Sequence, residues 1–172
     1  MNFFSGFSLE GEESLFSPYL KENDFCVSGF SLGAILAYEY VLNSSDRVDT
    51  LQLFSPAFFQ NESEKFKRVQ TINYQKNRDS YQMQFLKNIA YPADRDLNRY
   101  LKNDSIVSLE KLLYFRWDAN RLKELKDRGI NIEVYLGGKD RIMDTKKAYD
   151  FFKKFATIYL IKNGGHILET KD

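Results

Sequence analysis

The chain has 172 residues, of which 43% are hydrophobic and 16% aromatic, enough apolar material for the core of one compact domain. Its 25 Lys and Arg side chains nearly balance 24 Asp and Glu side chains, for a net charge of +1, which argues against a nucleic-acid binder acting through bulk electrostatics. The charges are unevenly distributed: residues 1–57 carry two basic and eight acidic side chains, whereas residues 65–102 carry nine basic and three acidic ones. We therefore expect a locally basic surface on a neutral protein.

The sequence carries no signal for membrane targeting or for disulfides. The first residues, MNFFSGFSLEGEE, lack the basic start and long apolar run of a signal peptide, and no later stretch approaches the roughly 18 apolar residues of a membrane span. We expect a soluble, cytoplasmic monomer that binds neither membranes nor nucleic acid. The single cysteine, Cys26, lies in an apolar run and is expected to be a small buried thiol.

Short β-rich runs alternate with helical patterns along the chain, which favours a parallel sheet covered by helices. Five runs are predicted strands: Asn2 to Ser5, Phe25 to Ser28, Thr50 to Phe54, Ile130 to Leu136 and Thr157 to Ile161. Helices are predicted between them, around Glu13 to Leu20, from Ser31 to Leu42, from Asp118 to Arg128 and from Asp144 to Phe155. Asp118 and Asp144 are predicted N-caps, and Gly129 is a predicted helix stop.

The segment from Phe58 to Phe115 breaks this alternation. It contains no convincing strand but several helical patterns, such as SEKFKRVQTINYQ, DSYQMQFLKNI and SLEKLLYF. We interpret residues 58–115 as a helical cap inserted between the third and fourth strands of one domain that spans residues 1–172.

The pentapeptide GFSLG, residues 29–33, stands between the second predicted strand and the helix that follows it. A nucleophile elbow needs this order of strand, sharp turn and helix, because the turn projects the serine hydroxyl above the sheet. Gly29 and Gly33 lack the Cβ atoms that would collide in such a turn. Since the pentapeptide also occurs by chance, the assignment of Ser31 as a nucleophile depends on finding a base and an acid to accompany it.

A serine nucleophile needs a base, and the only histidine, His166, follows the last predicted strand in the sequence KNGGH. Asp140, in the loop GGKD after the fourth strand, is the candidate acid that orients this histidine. The order serine, acid, histidine is the one that α/β-hydrolases use. Asp144 is the competing acid, but its position before a helical pattern is better explained as an N-cap.

Ester cleavage also needs backbone donors for the oxyanion that forms on the attacked carbonyl. The N–H of Leu32, the residue after the nucleophile, is the first expected donor. The second usually comes from a loop after an early strand, and the Phe7 N–H in FFSGFS is our candidate. An ordinary β-turn at Gly6 is the alternative interpretation of this loop.

The ordered set SGF, GFSLG, GGKD and GGH resembles the α/β-hydrolase superfamily over nearly the whole chain. Only about 20 residues separate the first strand from the elbow strand, too few for the additional strand and helix that usually intervene. The resemblance therefore implies an α/β fold of minimal size, with about five parallel strands, flanking helices and the helical cap.

A closer resemblance is to the BioV-type pimeloyl-acyl-carrier-protein methyl ester esterases of biotin synthesis. FFSGFS, VSGFSLGAI, LFSPAF followed by FKR, IEVYLGGKDRI and the terminal His loop carry it. This resemblance implies a carboxylesterase that releases methanol and needs no metal or organic cofactor, with Ser31 as nucleophile, His166 as base and Asp140 as orienting acid. A general short-chain esterase, an acyl-carrier-protein thioesterase and a non-catalytic hydrolase-like binding protein remain alternatives.

An acyl-carrier protein is acidic, so a carrier-dependent enzyme would bind it on a basic surface. The basic part of the cap offers candidate docking residues: Lys65, Lys67, Arg68, Lys76, Arg78, Arg95 and Arg99. Each of these could equally be a solvated residue on a cap helix. Four aromatic residues could line a channel for the acyl chain, although ordinary core packing would explain each as well: Phe54, Phe58, Phe59 and Tyr81.

Overall fold

The computed structural model describes residues 2–171, and these form one sheet of five parallel strands. In chain order the strands are β1 (Asn2–Phe4), β2 (Cys26–Phe30), β3 (Thr50–Phe54), β4 (Asn131–Gly137) and β5 (Thr157–Ile161). Each strand pairs with its neighbour in the sequence, so the spatial order of the sheet is the chain order. The prediction of a minimal five-stranded α/β sheet is confirmed.

The register of the central strands places their carboxyl ends side by side. Phe30 pairs with Phe54, and Phe54 pairs with Tyr135. β3 and β5 have the predicted bounds, whereas β2 runs to Phe30, two residues further than predicted. As a result, β2 passes directly into the turn at Ser31, which lies at the common carboxyl edge of the sheet.

Six α-helices accompany the strands in the described part of the chain. They are α1 (Leu32–Asn43), α2 (Glu64–Lys76), α3 (Arg78–Ala90), α4 (Ile106–Tyr114), α5 (Ala119–Asp127) and α6 (Thr145–Phe152). The two predicted aspartate caps are present: the Asp118 carboxylate accepts hydrogen bonds from the N–H groups at the start of α5, and Asp144 does the same for α6. α6 ends three residues before the predicted Phe155.

The helix predicted around Glu13 to Leu20 is wrong in type and length. The structure has a 3₁₀ helix over Glu12–Phe16 instead. Pro18 explains the early end, because proline has no N–H to donate and its ring clashes with a preceding helical turn.

The two faces of the sheet have different covers, because successive strand residues point to opposite faces. One face, with Val27, Leu51 and Val134, packs against α1, α4, α5 and α6 in the larger apolar core. The other face carries Phe30 and Phe54, whose rings each lie 4.8 Å from the ring of Phe16 in the 3₁₀ helix. The connection between β1 and β2 thus covers this face together with Leu86, Ile89 and Ala90 of α3.

Helices α2, α3 and α4 form the expected helical cap between β3 and β4. Ser63 is the N-cap of α2 and Asn77 that of α3, and each side chain accepts a hydrogen bond from the first turn of its helix. An isolated bridge between Leu9 and Leu101 ties the loop after β1 to this cap. None of the helices in residues 2–171 combines the length and the apolar character needed to cross a bilayer.

Candidate active site

Ser31 occupies a sharp, strained turn between β2 and α1. Its backbone has φ 55° and ψ −112°, a conformation that non-glycine residues adopt rarely and at an energetic cost. Two glycines make the turn possible, since a Cβ atom at Gly29 would lie within 3.0 Å of the Gly33 backbone, and one at Gly33 within 3.0 Å of the Phe4 and Ser5 carbonyl oxygens. The turn has the geometry of a nucleophile elbow.

Backbone hydrogen bonds hold this turn against the end of β3. The Ser31 N–H donates to the Phe54 carbonyl over 2.9 Å, and the Ser31 carbonyl accepts from the N–H groups of Ala34 and Ala57, both at 3.2 Å. The strained conformation is therefore fixed by neighbouring elements on both sides of the serine.

His166 and Asp140 form a fully buried pair at the same edge of the sheet. His166 Nδ1 lies 2.6 Å from Asp140 Oδ2, and both side chains have 0% exposure. The other carboxylate oxygen, Oδ1, accepts the N–H of Ile142 over 2.6 Å and that of Met143 over 3.3 Å. These bonds orient the carboxylate, and a proton held on Nδ1 leaves the lone pair of a neutral imidazole on Nε2.

Ser31 Oγ and His166 Nε2 are both buried, and neither has a hydrogen-bond partner among the described residues. The ring of Phe30, the residue before Ser31, lies 5.0 Å from the His166 ring, and the hydroxyl of Ser55, which follows β3, donates to the His166 carbonyl over 2.6 Å. Catalytic hydrogen bonds are often long without substrate, so unpaired polar atoms on a candidate nucleophile and base fit a site that tightens on binding.

Asp144, the competing acid, serves a different purpose. Its carboxylate accepts the Lys147 N–H over 3.0 Å, and this hydrogen bond lowers the pKa of Asp144 below its ordinary value. The side chain is exposed and caps α6. The structure thus brings Asp140, and not Asp144, to the histidine.

The two candidate oxyanion donors lie at the start of α1 and in the loop after β1. Leu32 is the first residue of α1, where backbone N–H groups have no partner within the helix. Phe7 is fully buried, and its ring packs against the rings of Tyr74 and Phe85 in the cap. Among the hydrogen bonds of residues 2–171, none is donated by the Phe7 N–H.

Two residues near this site were missed by sequence reasoning. Ser55 is buried, has a φ of 40°, and donates its hydroxyl to the His166 carbonyl. Glu12 is buried, and one of its carboxyl oxygens accepts the Gly6 N–H. The sequence LFSP does not predict the positive φ of Ser55, because the residue before a proline usually adopts an extended conformation with negative φ. Glu12 lies in the acidic run EGEE, which is typical of an exposed loop, so nothing in the sequence marks it.

One candidate docking residue is wrong: Lys67 is buried. Its ammonium group lies 3.8 Å from Glu64 Oε1 and 5.1 Å from the Tyr114 ring centre. It faces the inside of the cap because it lies on the inner side of α2, a position that charge counting cannot reveal. The remaining six candidates are exposed: Lys65, Arg68, Lys76, Arg78, Arg95 and Arg99.

The outer side of α2 combines basic and apolar side chains. Val69 and Ile72 have 43% and 51% exposure on the same turns as Lys65, Arg68 and Lys76. Other candidates are less free, since Arg95 pairs with Glu169 and Arg99 contacts the Tyr100 ring. We refer to five exposed residues of α2, which recur at three- and four-residue spacing, as the outer α2 face: Lys65, Arg68, Val69, Ile72 and Lys76.

A cavity of about 280 Å³ lies between the cap helices and the loop that follows Asp140. Phe59, Phe66, Leu113 and Ile142 give it an apolar wall, and Tyr81 also borders it. Its polar border consists of side chains that include Gln70, Asn73, Gln84, Asn88 and Arg141. Phe59 and Tyr81 are thus the two channel candidates that reach this cavity.

The other two channel candidates pack elsewhere. Phe54 stacks with Phe16 beneath the sheet, and Phe58 contacts Phe151 and Phe152 of α6. Cys26 is buried, as expected for a structural thiol. Within residues 2–171 no group of three or more His, Cys, Asp or Glu side chains is arranged to hold a metal ion.

No protein-family model matches the sequence, and no curated protein sequence matches it either. Solved structures do match its fold. An esterase from Exiguobacterium antarcticum superimposes with a TM-score of 0.62 at 17% identity, covering 81% of this chain and 58% of that protein. BioG from Haemophilus influenzae superimposes with a TM-score of 0.60 at 12% identity, covering 96% and 87%.

A third structure, E-2-(acetamidomethylene)succinate hydrolase, has a TM-score of 0.61 at 12% identity, with coverage of 96% and 84%. This chain therefore spans little more than half the length of the Exiguobacterium esterase but most of the length of BioG and of the succinate hydrolase. At these identities the likeness concerns the fold, which is a minimal α/β-hydrolase fold.

Proposed function

We propose that this protein is a serine carboxylesterase that hydrolyses the methyl ester of pimeloyl-acyl-carrier protein to pimeloyl-acyl-carrier protein and methanol. The observation that carries the catalytic part is the buried His166–Asp140 pair, 2.6 Å apart, beside a serine in an elbow turn. The esterases among the proteins of similar fold support the reaction class.

In the proposed reaction, Ser31 Oγ attacks the ester carbonyl carbon while His166 Nε2 takes the hydroxyl proton. The negative charge that develops on the carbonyl oxygen is stabilised by the N–H groups of Leu32 and Phe7. The tetrahedral intermediate collapses, the bond to the methoxy oxygen breaks, and His166 gives its proton to the leaving methanol.

Water then completes the cycle. His166 takes a proton from the water molecule, whose oxygen attacks the acyl-enzyme carbonyl, and a second tetrahedral intermediate forms. Its collapse returns the proton to Ser31 Oγ and releases the free carboxylate. Asp140 keeps the imidazole in one orientation and stabilises its charged form in both halves.

The substrate part of the proposal rests on the resemblance to BioV-type esterases and on two features of the cap. The cavity beside Ile142 offers an apolar wall for a methylene chain, bordered by amide side chains. The outer α2 face offers exposed basic groups around two exposed apolar residues, which suits an acidic partner that also presents apolar side chains. Lys67 has no part in this surface, because it is buried.

Mass spectrometry of carrier-bound pimeloyl methyl ester, before and after incubation with the protein, tests both bond and substrate. The proposal predicts loss of the methyl group with the thioester intact, and no reaction with the Ser31→Ala variant. Cleavage of the thioester instead would identify a thioesterase. Equal rates on the carrier substrate and on a small free methyl ester would identify a general esterase, since a carrier-dependent enzyme loses rate when its substrate is truncated.

A further inference from the structure

The loop between β1 and the 3₁₀ helix contains a buried carboxyl group that the catalytic scheme does not use. Glu12 has 0% exposure, and its Oε1 accepts the Gly6 N–H over 2.6 Å. Its Oε2 is also buried and has no hydrogen-bond partner in the described part of the chain.

Such an arrangement costs stability. Leaving a buried polar atom without a hydrogen-bond partner lowers the stability of the fold, and more so when the group is charged. Burial raises the pKa of the Glu12 carboxyl above its ordinary value, although the hydrogen bond from Gly6, the N–H of Glu12 itself and the Ser5 side chain oppose this effect. A leucine or methionine at this position would avoid this cost but could not accept the Gly6 N–H.

Gly6 lies directly against the elbow. A Cβ atom at Gly6 would be 2.8 Å from Phe30 Cδ1 and 3.1 Å from Phe30 Cε1, and Phe30 immediately precedes Ser31. The Gly33 backbone in the first turn of α1 touches the Phe4 and Ser5 carbonyl groups in the same way. The position of the Gly6 peptide is therefore coupled to the position of the candidate nucleophile.

The other end of the loop is fixed at Ser8. Its N–H donates to Asp104 Oδ2 over 3.2 Å, its hydroxyl accepts from Gln82 Nε2 over 3.0 Å, and its φ is 58°. Phe7 lies between these two anchored residues, and its own N–H is unpaired within residues 2–171. A free N–H between two fixed peptides has the properties of a preorganised donor.

We propose that Glu12 is a positioning residue for the esterase reaction: by accepting the Gly6 N–H it fixes the loop at residues 5–8, so that the Phe7 N–H stays directed at the oxyanion formed at Ser31. This inference rests on the proposed esterase function. Glu12 acts through Gly6 and touches no reacting atom. A preorganised donor stabilises the transition state more than it stabilises the bound substrate. Loss of the preorganisation therefore lowers kcat and leaves KM nearly unchanged.

Three variants separate this role from simple packing. Glu12→Gln keeps an acceptor oxygen at the same reach and is expected to retain kcat within about threefold, because a neutral acceptor replaces another acceptor. Glu12→Ala removes the acceptor and is expected to lower kcat about 10- to 100-fold, a part of the 10²–10³ that a whole oxyanion donor contributes. Glu12→Asp keeps the carboxyl group but shortens its reach to Gly6, so it should lower kcat as much as Glu12→Ala does, and it tests the role even if the alanine variant folds poorly.

The matched control is Glu13→Ala, which removes an exposed carboxylate from the same helical turn and should leave kcat unchanged. The substrate is a small soluble ester, so that carrier binding does not enter. Binding of a boronic acid, whose tetrahedral adduct places an oxygen in the oxyanion position, should weaken in Glu12→Ala by the same factor as kcat/KM. Thermal melting identifies the temperatures at which each variant is folded.

The outcomes are distinct. Wild-type kcat and boronic acid affinity in Glu12→Ala, or equal losses in Glu12→Gln and Glu12→Ala, would overturn the positioning role while the esterase function stands. A wild-type chain that cleaves no ester and binds no boronic acid overturns the esterase function and this inference with it.

Discussion

The carboxyl edge of the sheet and the helical cap are held together by different kinds of contact. At the sheet edge, backbone groups make many of the hydrogen bonds. The Ser31 N–H donates to the Phe54 carbonyl, and the Asp140 carboxylate accepts from two backbone N–H groups. The cap packs through side chains and leaves Ile72 and Val107 half or more exposed. Residues at the sheet edge are thus closely constrained by neighbouring backbone, whereas the cap leaves apolar side chains uncovered on its surface.

The largest expected effect is loss of the fold when the edge is disturbed. Gly33→Ala places a methyl group within 3.0 Å of the Phe4 and Ser5 carbonyl oxygens, where no flexible side chain can move aside. We expect destabilisation of more than about 4 kcal/mol, or no folded protein. Gly11→Ala is the control: Gly11 has φ 73° but open space around it, so the cost should be about 1–2 kcal/mol. Similar melting temperatures for the two variants would contradict the elbow geometry.

The next effect concerns chemistry at the edge, and a matched pair of aspartates tests it. Asp140→Asn removes the charge that stabilises the imidazolium and should lower kcat about 10⁴-fold on any cleaved ester. Asp144→Asn makes the same change at a helix cap, where asparagine is as good as aspartate, and should alter neither kcat nor stability appreciably. If the two variants lost activity equally, the assignment of the acid would be wrong.

The smallest effect is expected on the cap. Reversing the charge of Lys65 and Arg68 to Glu on the outer α2 face should raise KM for a carrier-bound ester roughly fivefold to tenfold, since exposed charge contacts contribute less than about 1 kcal/mol each. The same variant should cleave a small free ester normally. Lys123→Glu is the control, because it reverses an exposed charge on a different helix, α5. Unchanged KM and unchanged salt dependence for the carrier substrate would refute docking on the outer α2 face.

The same contrast explains which features of the fold and the candidate site could be predicted from the sequence. β3, β5 and the caps at Asp118 and Asp144 follow from hydrophobic runs and capping chemistry, which act locally. The elbow turn at Ser31 could also be predicted, because the two glycines, the strand and the helix that define it are close together in the chain. The contact between Asp140 and His166, which are 26 residues apart, could be anticipated only from the order of the elements.

The rest depends on tertiary contacts that no local pattern encodes. Lys67 and Arg68 are adjacent and chemically similar, yet Lys67 lies inside the cap and Arg68 on its surface. The rotation of α2 about its axis determines which of the two side chains is buried. Glu12 and Glu13 differ in the same way. The early end of the first helix, by contrast, could have been predicted, since Pro18 is a local signal.

Labelling with a fluorophosphonate tests most directly whether Ser31 is an activated nucleophile at the sheet edge. We expect stoichiometric labelling of Ser31 in the wild-type protein, very slow labelling in His166→Gln, and none in Ser31→Ala, with all three proteins folded. No labelling of folded wild-type protein, or labelling of Ser31 at the same rate without His166, would contradict it.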